Sequence, residues 1–177
     1  MTTEENLYTK DCIRTKSGIY INVFEPTPEM ICIEDIAHAL TYQCRFGGHL
    51  PKFYSVAQHS LNCSYLIDDE RLKLTALMHD ASEAYLLDIP RPIKQRLDNY
   101  KEIENRLMEV IADKFGFEWP LPVEIKQVDE MMLQTEWDCL MLNNKTWNFG
   151  TYNEWQTTKT FLEMFRYYTR LTKIQTT

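Results

Sequence analysis

His79 and Asp80 stand together in a segment that otherwise reads as an apolar helix, with Thr75, Ala76, Leu77 and Met78 before them and Ala81 after. A buried imidazole beside a buried carboxylate must be paired, hydrogen-bonded or bound to a metal ion, because desolvating either group alone is costly. On its own such a pair is more commonly a satisfied core histidine next to a surface aspartate. Two further residues sharpen it. His59 falls on the preceding helix, and Asp129 falls on a later one between Val128 and Met131. Two imidazoles with two carboxylates suit a divalent transition metal (Mn2+, Co2+, Zn2+ or Fe2+) better than Ca2+ or Mg2+ alone, and an additional Mg2+ is compatible with the set. An ion so held lowers the pKa of bound water toward ~7 and polarises a phosphorus centre, so the chemistry expected is hydrolysis by metal-bound hydroxide.

Glu83 follows His79 by four residues and Asp80 by three, which puts it on their face of a continuous helix. A carboxylate just outside a metal shell is well placed as a general acid or base. Asp88, in the turn Leu87 to Pro92, is either a turn residue or a second such carboxylate. Arg91, Lys94 and Arg96 come directly after this acidic stretch, and Arg45 and Lys52 flank Gly47 and Gly48. Phosphate calls for charge and for the guanidinium fork, so Arg45, Arg91 and Lys94 are candidate phosphate contacts, while Arg96 fits a solvated face. Phe46 could stack on a base or plug the core. His49 is a candidate phosphate contact in the same loop, and His38, on an apolar helix, is expected in the core. There is no GxGxxG, no GxxxxGK[ST] and no GxSxG, which leaves dinucleotide folds, P-loops and a serine nucleophile without support.

The elements that must carry these groups read as mostly helical. Residues 12–23 alternate weakly around Lys16, Ser17 and Gly18, as a short β-hairpin does. Pro26 and Pro28 then break the chain. Helices are expected over 34–44, ended by Gly47 and Gly48, over 56–67, 71–85 and 100–115, from Pro122 to about 142, and from about 153 to 171. Ser55 with Gln58, and Asn153 with Gln156, look like capping boxes. Pro90 and Pro92 bound a loop, and Gly116 closes the helix before it.

The chain's 177 residues favour one domain, with residues 1–28 as an N-terminal arm packed on a helical domain over 29–177. Lys and Arg number 19 against 26 Asp and Glu, a net charge of −7. That excess argues against a nucleic-acid polymer as partner, since such binding rests on cation–phosphate contacts. No apolar run approaches the ~20 residues of a membrane helix. Residues 1–10 lack signal-peptide features. Five cysteines without CxxC spacing suit a reducing cytoplasm and are read as mostly buried thiols.

Taken in order, Tyr54 to Ser60, Leu77 to Ala84, Asp88 to Lys94, Tyr100 to Glu104, and Asp129 resemble the HD-domain nucleotide phosphohydrolases, above all the bacterial 5′-deoxynucleotidases and the small phage dATP triphosphohydrolases. The match runs from Arg45 to Asp129, about half the chain. The resemblance implies an all-α, single-domain HD-type helical bundle, here with the short hairpin in front. It implies His59, His79, Asp80 and Asp129 as metal ligands and acid–base roles for Glu83 and Asp88. It also implies contacts to substrate phosphate and sugar from Arg45 and Phe46. The chain departs from that family at Phe46, where Trp is usual, and in the loop Gly47 to His49. Members form dimers or higher oligomers, so a homo-oligomer is implied, and the aromatic last helix (Trp155, Phe161, Phe165, Tyr167, Tyr168) could supply its interface or close the core.

The expected function is therefore removal of phosphate or triphosphate from a small-molecule deoxynucleotide, with dATP and dAMP as candidates. The alternatives are an HD enzyme acting on a cyclic nucleotide, an alarmone or another phosphorylated compound, and a non-catalytic helical binding module.

Overall fold

The computed structural model describes residues 10–175, with side chains to residue 172. The expected arm therefore begins in part outside the described residues. Within them, the hairpin pairs β1 (Cys12–Arg14) with β2 (Tyr20–Asn22) in antiparallel register, Ile13 opposite Ile21. Gly18, at φ +92, makes the turn. Ser17 donates from its amide (2.8 Å) and its hydroxyl (2.5 Å) to the buried Asp35 carboxylate, which ties the hairpin to the first helix.

The other main elements are helices: α1 (Ile33–Tyr42), α2 (Val56–Leu66), α3 (Lys73–Met78), α4 (Glu83–Leu86), α5 (Arg91–Lys94), α6 (Tyr100–Phe115), α7 (Val123–Glu136) and α8 (Glu154–Gln175). Among the described residues, no helix is long and apolar enough to cross a membrane. α2 lies at the centre, packed by α1, α3, α7 and α8. Ile36, Leu40, Val56, Leu61, Leu77, Leu107, Ile111 and Phe161 form the principal core around it.

α2 is buried from Val56 to Ser64 although five of those nine residues are polar. A buried polar helix survives only if its side chains find partners. Ser55 caps it, accepting from the Gln58 amide at 3.2 Å, and Gln58 accepts in return from the Ser55 amide at 3.4 Å. Asn153 and Gln156 form the equivalent box before α8, at 2.9 and 3.2 Å. Gly116 closes α6 in the left-handed conformation.

Several expectations are corrected. The helix expected over 71–85 is a 3-10 turn, α3, a run of tight turns and α4. Through the turns the amides reach back three residues rather than four: Ala81 to Met78 at 3.0 Å and Glu83 to Asp80 at 2.9 Å. His79 Nδ1 sits 2.8 Å from the Ala76 carbonyl, which a continuous helix would give to the residue-80 amide. α1 ends at Tyr42, and Gly47 and Gly48 belong to a separate turn in which Phe46 and Gly47 are left-handed. α7 gives way after Glu136 to a π turn, Trp137–Met141. The segment between Pro90 and Pro92 opens the short α5 rather than a loop. α8 runs beyond Leu171 and both closes the core, through Phe161, Phe165 and Tyr168, and exposes Trp155 and Tyr167. His38 is half-buried against the Tyr42 ring rather than in the core. Of the cysteines, Cys63 and Cys139 are buried and Cys44 is exposed.

Candidate metal centre and cavity

Three segments far apart in sequence bring four side chains to one point. His59 comes from the middle of α2, His79 and Asp80 from the turns after α3, and Asp129 from the middle of α7. His59 Nε2 lies 3.1 Å from Asp129 Oδ1 and 3.8 Å from Asp80 Oδ2. His79 Nε2 lies 3.2 Å from Asp80 Oδ2 and 3.8 Å from Asp129 Oδ1. Ligands bonded at about 2.0–2.2 Å around one ion stand about 3–3.6 Å apart, so the four imidazole–carboxylate distances lie near those of a coordination shell.

The outer nitrogens are held as metal-binding histidines require. His59 Nδ1 faces Glu136 Oε1 at 2.6 Å, and His79 Nδ1 faces the Ala76 carbonyl at 2.8 Å. A carboxylate or backbone carbonyl on one ring nitrogen keeps its proton there and leaves the other nitrogen's lone pair free. His79 Nε2 is buried and makes no hydrogen bond. The buried group of His59, Cys63 and His79 could hold a metal ion, its donor atoms lying within 4.8 Å of one another.

The local field favours positive charge. Burial works against a proton on His79, but Asp80 and Asp129 draw its affinity well above the ordinary 6.5. Burial and Arg45 oppose a proton on His59, yet Cys63, Glu136 and Asp129 raise it as well. Burial would raise the Asp80 carboxyl, while the neighbouring imidazoles hold it at about 2. The carboxylates that draw protons to these imidazoles would equally offset the charge of a cation held between them.

Glu136 underlies the centre. It is fully buried and accepts from Arg45 Nε (3.3 Å) and Nη2 (3.0 Å), from the Tyr54 hydroxyl (2.9 Å) and from His59. Asn62 donates to the Tyr54 oxygen at 2.9 Å, which completes the network. Removing one partner of such a buried group leaves the others uncompensated. Glu136→Ala is expected to lower stability by about 3–5 kcal/mol, and a urea midpoint shift equivalent to under about 1 kcal/mol would contradict this role.

Beside the four-residue cluster opens a cavity of about 880 Å3, within the roughly 300–1,000 Å3 of small-molecule sites. Asp80 and Asp129 line its floor together with Arg45, Glu83 and Asp88. Glu83 is buried, and its Oε2 has no hydrogen-bond partner. Burial, then the charges of Asp80 and Asp88, push its carboxyl well above the ordinary 4.5. Burial likewise raises Asp88, against the pull of Arg45. Arg45 Nη1 points to Asp88 Oδ2 (3.8 Å) and Asp80 Oδ2 (4.0 Å). Lys94 lines the wall, but Glu104 (2.5 Å) and Glu83 (3.7 Å) already hold its ammonium. Arg91, at the mouth, makes only an exposed pair with Glu130 at 2.9 Å, and such a pair is worth about 0–1 kcal/mol. Phe46, Gly47 and His49 line the rim, and Lys52 and Arg96 are exposed and take no part in it.

Three residues here escaped the sequence analysis. Glu136 is two helical turns beyond Asp129 on the same face, and Cys63 is one turn beyond His59. Both spacings were visible, but neither residue type stood out from its neighbours. Trp137 lines the cavity with its ring centroid 6.1 Å from that of Phe46, at 44°. Only the π turn brings it there.

No family model matches the chain. It is 44% identical over 124 residues to the uncharacterized protein YfdR of Escherichia coli, an alignment covering 70% of this chain and 69% of that protein. It is 38% identical over 123 residues to an uncharacterized protein of Rhodobacter capsulatus, covering 64% of this chain and 63% of that one. The chain thus spans a little under two thirds of the second relative's length.

Proposed function

We propose that this chain, which belongs to the family of the Escherichia coli protein YfdR, is a metal-dependent phosphohydrolase of the HD class that acts on small deoxynucleotides. The observation that carries this reading is the convergence of His59 Nε2, His79 Nε2, Asp80 Oδ2 and Asp129 Oδ1, at 3.1 to 3.8 Å across the four imidazole–carboxylate pairs, beside a nucleotide-sized cavity that Asp80 and Asp129 line. Those four residues would hold a divalent transition ion, Mn2+, Co2+, Zn2+ or Fe2+. When bound, it supplies an acidified water and offsets phosphate charge.

The chain's own groups do the remaining work. Arg45, anchored through Nε and Nη2 on Glu136, presents Nη1 to a phosphoryl oxygen. Arg91 can leave its weak surface pair for an incoming phosphate at little cost. Glu83, driven toward its protonated form by burial, holds a proton to pass to the leaving oxygen. Asp88, facing Arg45, takes up a proton from the attacking side. Lys94 acts through Glu83, fixing the position of its carboxyl.

Phe46 and Trp137 form an aromatic pair at the cavity edge, suited to hold a nucleobase, with Leu133 and Met141 completing an apolar wall. Stacking on one aromatic ring is worth about 1–3 kcal/mol per base. Trp137→Ala is therefore expected to raise KM for a deoxynucleotide by about 5- to 150-fold. Hydrolysis of glycerol phosphate, which has no aromatic group to stack, should be unchanged. Equal losses on both substrates would contradict the assignment.

To test the reading, the protein is stripped of metal, reloaded with Mn2+ or Co2+, and assayed against deoxynucleoside mono- and triphosphates, cyclic nucleotides and guanosine alarmones. Release of phosphate or triphosphate from a deoxynucleotide is the expected result. No release from any deoxynucleotide with any ion would overturn it.

A further inference from the structure

We propose that Cys63 is a ligand of the same ion, so that the centre contains a thiolate and favours thiophilic ions over Mn2+ and Mg2+. This inference rests on the metal reading above. Cys63 follows His59 by one turn of α2, and both side chains point inward from a buried stretch of helix. Its Sγ lies 3.6 Å from His59 Nε2. An ion bound to sulfur at about 2.3 Å and to nitrogen at about 2.0–2.1 Å, with a tetrahedral angle between them, separates the two atoms by about 3.6 Å. The donor atoms of His59, Cys63 and His79 lie within 4.8 Å of one another. His79 Nε2 is buried and makes no hydrogen bond. A buried cysteine that serves only as a small apolar filler has no need to face an imidazole nitrogen.

The chemical consequence is selectivity. Two carboxylates and two imidazoles accept Mn2+ readily, whereas a thiolate adds affinity mainly for Zn2+ and Co2+. Removing the sulfur should therefore weaken zinc binding more than manganese binding.

The full-length protein is loaded with Co2+ and its absorption spectrum recorded, with bound cobalt counted by elemental analysis. The expected result is one ion per chain with a near-ultraviolet thiolate-to-cobalt charge-transfer band. In Cys63→Ala the band should vanish while the ion remains on the other four ligands. Zn2+ affinity should fall at least about tenfold more than Mn2+ affinity. Cys63→Ser, with its similar shape, gives the same comparison if the alanine variant does not fold. One bound cobalt without the band, a band that survives the loss of Cys63, or equal changes for both metals would overturn the proposal and leave the four-ligand site standing. Absence of any bound ion would overturn both.

Discussion

Asp80→Ala is expected to strip the protein of its metal and of its hydrolytic activity together. The Asp80 carboxylate stands between both imidazoles and the guanidinium, its Oδ2 within 4.0 Å of His79, His59 and Arg45 alike. Its loss removes one anionic ligand and leaves Arg45 facing the centre with less to offset it. Changing a residue that merely orients a ligand weakens metal binding about 10- to 100-fold. Removing a ligand should exceed that and lower turnover by on the order of 10³-fold or more, since the acidified water depends on the ion. Near-ultraviolet circular dichroism should stay that of the wild type, because the Asp80 side chain is not part of the apolar core. Metal content measured by elemental analysis, with phosphate release on the same sample, gives the test. A variant that keeps both ion and activity would rule out the catalytic reading.

Glu83→Gln is expected to lose activity and gain stability, a combination that a purely structural glutamate does not produce. The amide retains the shape but cannot pass a proton, so turnover should fall by about 10²- to 10⁴-fold while the metal stays bound. The stability effect follows from burial. The folded carboxyl has its pKa raised well above the ordinary 4.5, so the folded state binds a proton that the unfolded state releases. Native stability then falls as pH rises from about 4.5 through the raised folded value, and beyond it the full cost remains. Glutamine removes that cost. Its urea midpoint should exceed that of the wild type by the equivalent of about 1–3 kcal/mol near neutral pH. The gap should close as the pH is lowered below 4.5, where both forms are neutral. A gap independent of pH, or wild-type turnover in the variant, would contradict the role given to Glu83.

What the sequence revealed follows the range of the interactions involved. The capping boxes at Ser55 and Asn153, the α6 boundary at Gly116 and the hairpin at Gly18 are made by residues within a few positions of each other. Their chemistry is therefore complete in a short window. The break after Met78 was invisible because its apolar pattern continues unchanged while the hydrogen bonds shorten from four residues to three. That break also removes the continuous helix on which Glu83 was placed beside His79, although the cavity still collects Asp80 and Glu83. The π turn that swings Trp137 toward Phe46 leaves no sequence mark either. Individually, His59, His79, Asp80 and Asp129 stand out by residue type and by the resemblance. Their meeting depends on how α2, α3 and α7 pack, which no local pattern encodes. Glu136 and Cys63 are hidden for the opposite reason: their spacings to Asp129 and His59 are plain, but a lone glutamate and a lone cysteine on helices carry little information until a partner is known.

The central claim is that one cation is shared by α2, the turns after α3, and α7. Anomalous diffraction from crystals grown with Co2+ or Mn2+ tests it most directly. A single strong peak within bonding distance of His59 Nε2, His79 Nε2, Asp80 Oδ2 and Asp129 Oδ1 is the predicted result, whereas a fully loaded crystal with no peak among those four atoms would contradict it.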